Sequence, residues 1–136
     1  MTDIRISRDI EEMDLKMITI FLSEKSYWAS GRSMNSTLIS MQNSYCFAVF
    51  KGSQQIAFAR LVTDKIVFGW LMDFFVIESE QKKGIGEYLL KYILELSELK
   101  NVNGVGLRTK DAHNFYKKFG FENIIHPDTW MLKKKN

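Results

Sequence analysis

The stretch that decides the fold is residues 76 to 90, which read VIESEQKKGIGEYLL. The apolar run ends at Ile77, charged residues follow, and an amphipathic pattern begins after Gly84-Ile85-Gly86. This order predicts a strand, a glycine turn and a helix. Glycines allow a ligand to approach the backbone closely, and a first helical turn offers unpaired N–H groups at its positive end. The junction can therefore bind a phosphorylated cofactor, or it can be a strand-to-helix corner without a ligand.

Length and composition predict one globular domain over residues 1–136, because 46% of the residues are hydrophobic and 13% are aromatic. The formal charge is +3 and both signs are scattered along the chain, so we expect no nucleic-acid partner. No apolar run is long enough for a membrane span, and the N-terminal residues lack the apolar core of a signal peptide. We expect a cytoplasmic protein that binds no membrane, with Lys133, Lys134 and Lys135 as a solvated tail.

Few side chains are suited to metal or covalent chemistry. Cys46 is the only cysteine and lies between two aromatic residues, which favours a buried apolar role over a nucleophilic one. His113 falls in the first turn of a predicted helix, and His126 precedes a proline in a turn, so each is a weak candidate for catalysis. Two histidines without a cysteine cluster give no zinc-site spacing, and we expect no metal.

Apolar periodicity and turn residues predict the order of the elements. A helix opens near Asp9, and Gly52-Ser53 forms a hairpin turn between two strands. The predicted strands are residues 4–6, 45–51, 55–63, 66–77, 102–107, 121–125 and 129–133, and further helices span residues 33–41, follow Gly86 and span residues 111–119. The strand at 102–107 should lie parallel to the one at 66–77, because a helix connects them.

Two motifs occur in this order: Q-x-x-G-x-G from Gln81 to Gly86, and A-x-x-F-Y-x-x-x-G-F from Ala112 to Phe121. With their structural contexts they resemble the GNAT superfamily of N-acetyltransferases. The resemblance implies an α/β (α+β) fold. It consists of a mixed sheet of six to seven strands flanked by about four helices, with a splayed pair of parallel central strands.

The resemblance further implies a site for acetyl-CoA as acyl donor. Backbone N–H groups of the glycine turn would hold the diphosphate, and the pantetheine arm would run along the central strand, as an added strand does. The residues implied are Phe74, Phe75, Val76, Ile77, Gln81, Lys82, Lys83, Gly84, Ile85, Gly86 and Phe115. The oxyanion donor would be a backbone N–H near Val76.

Acetyl transfer to an amine needs a proton for the leaving thiolate and a neutral nucleophile. Tyr116 matches the family tyrosine that supplies the proton; alternatively it is one more core aromatic residue. Asp73 is the only carboxylate in its apolar run, which makes it a candidate base. Alternatively it holds a backbone turn or pairs with a buried arginine such as Arg60 or Arg108, and water mediates the proton removal. Met72 stands where polyamine acetyltransferases carry an acidic residue, which disfavours a polyamine substrate.

Trp28 and Arg32 fall in the region that covers the acceptor cleft in the family. There they could orient an acceptor that bears a carboxylate, or they could simply pack against the body of the protein. The resemblance implies direct transfer to a primary amine of a small molecule or peptide, and a possible homodimer. The alternatives are a non-catalytic acyl-CoA-binding regulatory module and a structural domain in which the glycine turn has no ligand.

Overall fold

The computed structural model describes residues 3–135. Helices α1 to α4 span Leu15–Ile20, Met34–Gln42, Ile85–Leu94 and His113–Lys117. Strands β1 to β5 span Ile4–Ser7, Tyr45–Lys51, Gln54–Thr63, Phe68–Val76 and Gly104–Gly106. Short 3-10 turns lie at Ile10–Glu12, Glu78–Glu80, Ser97–Leu99 and Pro127–Thr129, and a π turn at Phe21–Lys25 extends α1. The order of these elements is the predicted one up to α4.

The described strands form one sheet in the order β1-β2-β3-β4-β5. Neighbours are antiparallel from β1 to β4, and β5 is parallel to β4, as predicted. The parallel pairing lasts only from Phe68 to Trp70 on β4, opposite Gly104 to Gly106 on β5. Beyond Trp70, β4 continues to Val76 paired with β3 but not with β5. The two parallel strands therefore part and leave a gap, as the predicted splayed pair requires.

The sheet has fewer strands than the six to seven predicted, because residues 121–125 and 129–133 are not strands in this structure. Pro127 instead opens a 3-10 turn, and the neighbouring backbone forms no bond to the sheet within the described chain. A strand is stabilised by pairing with an edge, and these segments meet none. The prediction of strands at residues 121–125 and 129–133 is therefore wrong, because an apolar pattern favours a strand but does not supply a partner.

The first helix also begins later than predicted. The Asp9 side chain accepts from Glu11 N–H at 3.0 Å and caps only a 3-10 turn. A second cap follows, because Asp14 Oδ1 accepts from Met17 N–H at 3.0 Å and α1 starts at Leu15. Two aspartates that each compete for the nearby N–H groups divide the predicted helix into two pieces.

Both faces of the sheet are covered by apolar side chains. On one face, Phe47 and Leu61 pack with Leu89 and Ile93 of α3. On the other face, Phe58 packs with side chains of α1, α2 and the turn after α1. We call these the α3 face and the α1/α2 face. The double coverage explains why the strands read as continuous apolar runs.

A bulge interrupts β4 at the point where the strands part. Asp73 and Phe74 lie opposite the single Ala59 of β3. Asp73 has φ +53°, a left-handed conformation that aspartate tolerates better than most residues. A bulge re-aims the side chains that follow it. Here the Asp73 carboxylate points to the α1/α2 face, whereas Phe74 packs with the cluster on the α3 face.

Candidate active site

A cleft of about 1140 Å³ opens where β4 and β5 part. Its walls are the outer half of β4, the glycine turn, the segment after β5, α4 and the loop between α1 and α2. It brings together most of the predicted site residues: Trp28, Arg32, Asp73, Phe74, Phe75, Val76, Gln81, Lys82, Gly84, Ile85, Gly86, Phe115 and Tyr116. Ile77 and Lys83 are not in its lining. The Ile77 N–H donates to Ile56 O at 2.9 Å, and Lys83 Nζ lies 3.6 Å from a Glu80 carboxylate oxygen.

The glycine turn forms a cradle of free N–H groups. Gly84 has φ +84° and caps α3, and Lys82 has φ +62° just before it. Among the described residues, no N–H of residues 82 to 87 donates to a backbone carbonyl. A Cβ built on Gly84 would meet no atom within 4 Å, so the turn is open on that side. Unpaired N–H groups at the positive end of a three-turn helix suit an anion such as a diphosphate.

Side chains below the cradle hold it in place. Gln81 Nε2 donates to Val76 O at 2.9 Å and ties the turn to the end of β4. Glu80 is buried, and Lys51 Nζ lies 3.4 Å from its carboxylate oxygens. These contacts within the chain fix the position of the turn.

Aromatic rings of β4 and α4 form a wall beside the cradle. Phe74 and Phe115 lie with ring centroids 5.8 Å apart, and the Tyr116 ring is 5.0 Å from Phe115. A Cβ on Gly86 would come within 3.4 Å of the Phe115 ring and 3.7 Å of the Phe74 ring. The second glycine of the motif thus lets α3 lie close to these rings, while the first supplies the left-handed turn.

Tyr116 lines the cleft from α4, and its half-buried ring also contacts Phe121. Among the described residues its hydroxyl has no hydrogen-bond partner, and it is not sealed from solvent. Burial raises the pKa of Tyr116 to about 12, and the negative charges that Tyr27 and Asp111 carry when ionised act in the same direction. The phenol therefore keeps its proton over the whole physiological range and can donate it.

The Asp73 carboxylate is bonded on both oxygens. Its Oδ2 accepts from Arg60 Nε at 2.7 Å and from Arg32 at 2.5 Å, and its Oδ1 accepts from Trp28 Nε1 at 3.0 Å. Burial alone would raise the pKa of this carboxyl, but the hydrogen bonds from the two guanidiniums outweigh it and leave the pKa below its usual value. This geometry favours an ion-paired role for Asp73 over the role of catalytic base. The partners are Arg60 and Arg32 rather than Arg108.

The remaining sequence candidates lie elsewhere. Cys46 is buried, its Sγ donates to Met41 O at 3.4 Å, and burial raises the pKa of the thiol to about 12. His113 and His126 are exposed and are not part of the cleft lining. The cysteine is therefore a core residue, as expected, and neither histidine faces the cleft.

The cleft lining also contains side chains that the sequence analysis did not assign to a site, among them Lys25, Tyr27, Lys110 and, as a cleft residue, Arg108. Tyr27 Oη accepts from Lys110 N–H at 2.6 Å, which joins the loop before α2 to the loop after β5. Arg108 is exposed and has no hydrogen-bonding or ion-pair partner among the described residues. Val105 and Leu107 pack on the α3 face, so the alternate positions, Gly106 and Arg108, lie on the α1/α2 face with Trp70. Only the strand alternation from Gly106 could have indicated its direction.

Comparison with known proteins gives the class. The family described as acetyltransferase (GNAT) domain matches residues 42–123, more than half of the chain. The chain therefore belongs to the GNAT acetyltransferase family and is a GNAT-type N-acetyltransferase. Among the described residues, no helix is long and apolar enough to cross a membrane.

Individual relatives agree with this class. The crystal structure of a Xanthomonas campestris protein assigned to the GNAT family has 27% identity and a TM-score of 0.93, covering 97% of this chain and 93% of that one. Glucosamine-6-phosphate N-acetyltransferase from Arabidopsis thaliana has 12% identity and a TM-score of 0.69, covering 98% and 97%, which supports the fold alone. A Gibberella zeae protein assigned as an acetyltransferase is 23% identical over an alignment of 142 positions, which covers 89% of this chain and 80% of that protein.

Proposed function

We propose that this protein transfers an acetyl group from acetyl-CoA directly to a primary amine of a small molecule or peptide. The observation that carries the proposal is a single cleft that holds an open cradle of N–H groups and a protonated phenol. The cradle suits the diphosphate of the donor, and the phenol suits the leaving thiolate. Family membership supports acetyl transfer as the reaction.

The donor half of the site consists of the cradle and the free part of β4. N–H groups of residues 82 to 87 would bind the diphosphate oxygens, and the Phe74-Phe115 wall would cover the arm of the cofactor. The backbone of β4 beyond Trp70 has lost its β5 partner, so it offers hydrogen-bonding groups to the amides of the arm. When bound, acetyl-CoA supplies a thioester carbonyl as the electrophile.

In the transfer, the amine nitrogen bonds to the acetyl carbon as the carbon–sulfur bond breaks. Tyr116 gives its phenolic proton to the departing thiolate, and the attacking amine loses a proton to water in the cleft. Asp73 does not take that proton in this proposal, because three N–H donors already occupy its oxygens. Its role is to hold Trp28 and Arg32 against the bulge.

The acceptor half lies on the α1/α2 face. Asp73 engages Arg32, so the guanidinium that is free for a substrate is that of Arg108. Lys25 and Lys110 also line the cleft, and the acidic residues of its lining besides Asp73 are Glu80, Glu87 and Asp111. A guanidinium in the cleft without an ion-pair partner among the described residues supports an acceptor that carries a carboxylate besides its amine.

Two measurements test the proposal. Calorimetry with acetyl-CoA and with desulfo-CoA measures donor binding, and release of free thiol against a panel of amines, with and without carboxylates, measures transfer. We expect binding of both cofactors and thiol release that depends on an amine. Binding without thiol release for any amine would favour the non-catalytic acyl-CoA-binding module, and no binding at millimolar cofactor would overturn both.

A further inference from the structure

Three aromatic rings lie side by side on the α1/α2 face next to the cleft. They belong to Phe68, Trp70 and Trp130, which we call the aromatic row, and Trp70 is its middle member. Successive ring centroids are 6.2 Å apart, with angles of 34° and 35° between the ring planes. Trp70 also lines the cleft, so the row begins inside the candidate active site and leads outward from it. None of the three residues has a role in the proposed transfer.

The surface of the aromatic row is open. Phe68 is 39% exposed and Trp130 is 50% exposed, while Trp70 between them is half-buried. Val62, the partner of Trp70 on β3, is also exposed on this face. Among the described residues, no lysine or arginine lies over any of the three rings, whereas Lys118 lies over the ring of Phe115. The ring faces are therefore free to contact a ligand.

Gly106 of β5 determines how the rings lie. A Cβ on Gly106 would come within 2.7 Å of the Phe68 ring and 2.9 Å of the Trp70 ring. Both rings therefore lean from β4 across β5, which is possible because residue 106 has no side chain. Arg108 is the next position on the same face. The aromatic row thus lies immediately before Arg108 along β5 and the segment that follows it.

Groups of different chemistry follow one another along this face. Trp70 lies opposite Gly106, at the last pair of the parallel ladder. Arg108 follows where the gap opens, and the free part of β4 that would hold the thioester lies beyond it. A ligand that extends along this face therefore meets aromatic rings first, a guanidinium second and the acyl donor third.

We propose that the aromatic row binds the ring of an aromatic α-amino acid, which rests on the proposed function and names its acceptor. The carboxylate of the amino acid pairs with Arg108, and its amine faces the gap. The amine and the carboxylate share one carbon and the ring is one carbon away, so the three groups match the order on the protein. An aromatic ring gains more against indole faces than an aliphatic group of the same area does.

The reaction is then the proposed transfer with a named acceptor. The neutral amine nitrogen bonds to the acetyl carbon as the carbon–sulfur bond breaks. The thiolate takes its proton from Tyr116, and the amine loses a proton to water. The products are an N-acetyl amino acid and free CoA.

Calorimetry of the full chain, with and without desulfo-CoA, measures the Kd of three ligands. They are phenylalanine, cyclohexylalanine, which has the same carbon skeleton without the aromatic electrons, and phenylalaninamide, which lacks the carboxylate. Phenylalanine should bind about fivefold more tightly than cyclohexylalanine, because only its ring is attracted by the indole faces beyond apolar contact. It should bind about tenfold more tightly than phenylalaninamide, because the amide lacks the charge-assisted contact with Arg108.

Two variants connect the preference to the aromatic row. Trp130 is exposed, so Trp130→Leu should fold, and Trp70→Leu removes the middle ring. Each should bring the ratio of the Kd values for cyclohexylalanine and phenylalanine down to about twofold or less. Tyr92→Leu is the matched control, because Tyr92 is a partly exposed aromatic residue on α3 outside the cleft lining. This variant should keep the ratio at about fivefold.

Equal Kd values for phenylalanine and cyclohexylalanine in the wild type, or a preference that survives in both variants, would overturn the proposal. So would the absence of binding, and sedimentation would then show whether a second copy covers the row instead. Thiol release with aliphatic amines but not with aromatic amino acids would overturn the proposal and leave acetyl transfer intact. Binding of phenylalanine with the expected preference, but without thiol release for any amine, would support the binding site and refute the proposed function.

Discussion

Arg60 on β3 donates through its Nε at 2.7 Å to Oδ2 of Asp73, which lies in the β4 bulge opposite Ala59. Both side chains are buried, and the same oxygen also accepts from Arg32 in the loop before α2. One carboxylate therefore links β3, the β4 bulge and the loop before α2. If it is broken, two guanidiniums lose their counter-charge next to the cleft.

The first prediction concerns Asp73→Asn. Removing the charge leaves the buried guanidinium of Arg60 and the half-buried one of Arg32 without a counter-charge. We therefore expect the free energy of unfolding to fall by about 3 kcal/mol. Urea denaturation at pH 7 measures this. Glu12→Gln, which breaks the exposed pair with Arg5, is the matched control and should change stability little. Full stability together with a large loss of kcat would instead make Asp73 the base.

The same pair predicts a pH dependence. The pKa of Asp73 is lowered in the folded state, so the ionised carboxylate stabilises the fold. This stabilisation is complete above the unfolded pKa of about 3.9 and is lost as the pH falls through the folded pKa. The stability difference between wild type and Asp73→Asn should be constant from pH 5 to 8 and should narrow below about pH 4. Unfolding curves at several pH values measure it. A difference that disappears near pH 6 would contradict the lowered pKa.

The sequence predicts features that depend on neighbouring residues better than contacts between residues that are far apart in the chain. Gly84 and Gly86 could be assigned because a left-handed turn and a close helix approach are local requirements of the chain. The partners of Asp73 lie 13, 41 and 45 residues away, so the sequence could name Arg60 only as one option. Arg108 and Tyr27 line the cleft through the splay of two strands, which no local pattern encodes. Residues 121–125 and 129–133 show the same limit, because their pattern predicts strands without specifying an edge.

The cradle is tested by Gly84→Ala. Alanine is strained at φ +84°, and the added Cβ meets no atom, so only the backbone is perturbed. We expect a loss of about 1 to 2 kcal/mol in stability, and a Kd for acetyl-CoA about tenfold higher, as one charge-assisted N–H contact is lost. Calorimetry and urea denaturation measure the two effects.

Gly52→Ala is its matched control, since Gly52 has φ +60° in the β2–β3 hairpin turn and also has open space around it. It should lose similar stability and keep acetyl-CoA affinity. Equal Kd values for acetyl-CoA in the two variants would show that the cradle does not bind the cofactor.

Arg108 is tested by Arg108→Gln. With an acceptor that carries a carboxylate, KM should rise by about tenfold, because a charge-assisted contact is lost. With the corresponding carboxamide, KM should not change. Steady-state thiol release measures both, and Arg5→Gln, an exposed arginine on β1, is the control. A similar rise in KM for both acceptors would show that Arg108 does not read the carboxylate.

Tyr116→Phe tests the proposed acid. We expect kcat to fall by about a hundredfold, with the Kd for acetyl-CoA within about twofold, since the ring and its packing remain. The pKa of Tyr116 is raised to about 12, so the phenol is protonated through pH 10 and the loss should be uniform from pH 7 to 10. Tyr92→Phe, on the α3 side that packs against Phe47, is the control and should keep kcat. A wild-type kcat that declines near pH 9, or a Tyr116→Phe variant with normal kcat, would assign the proton to another donor.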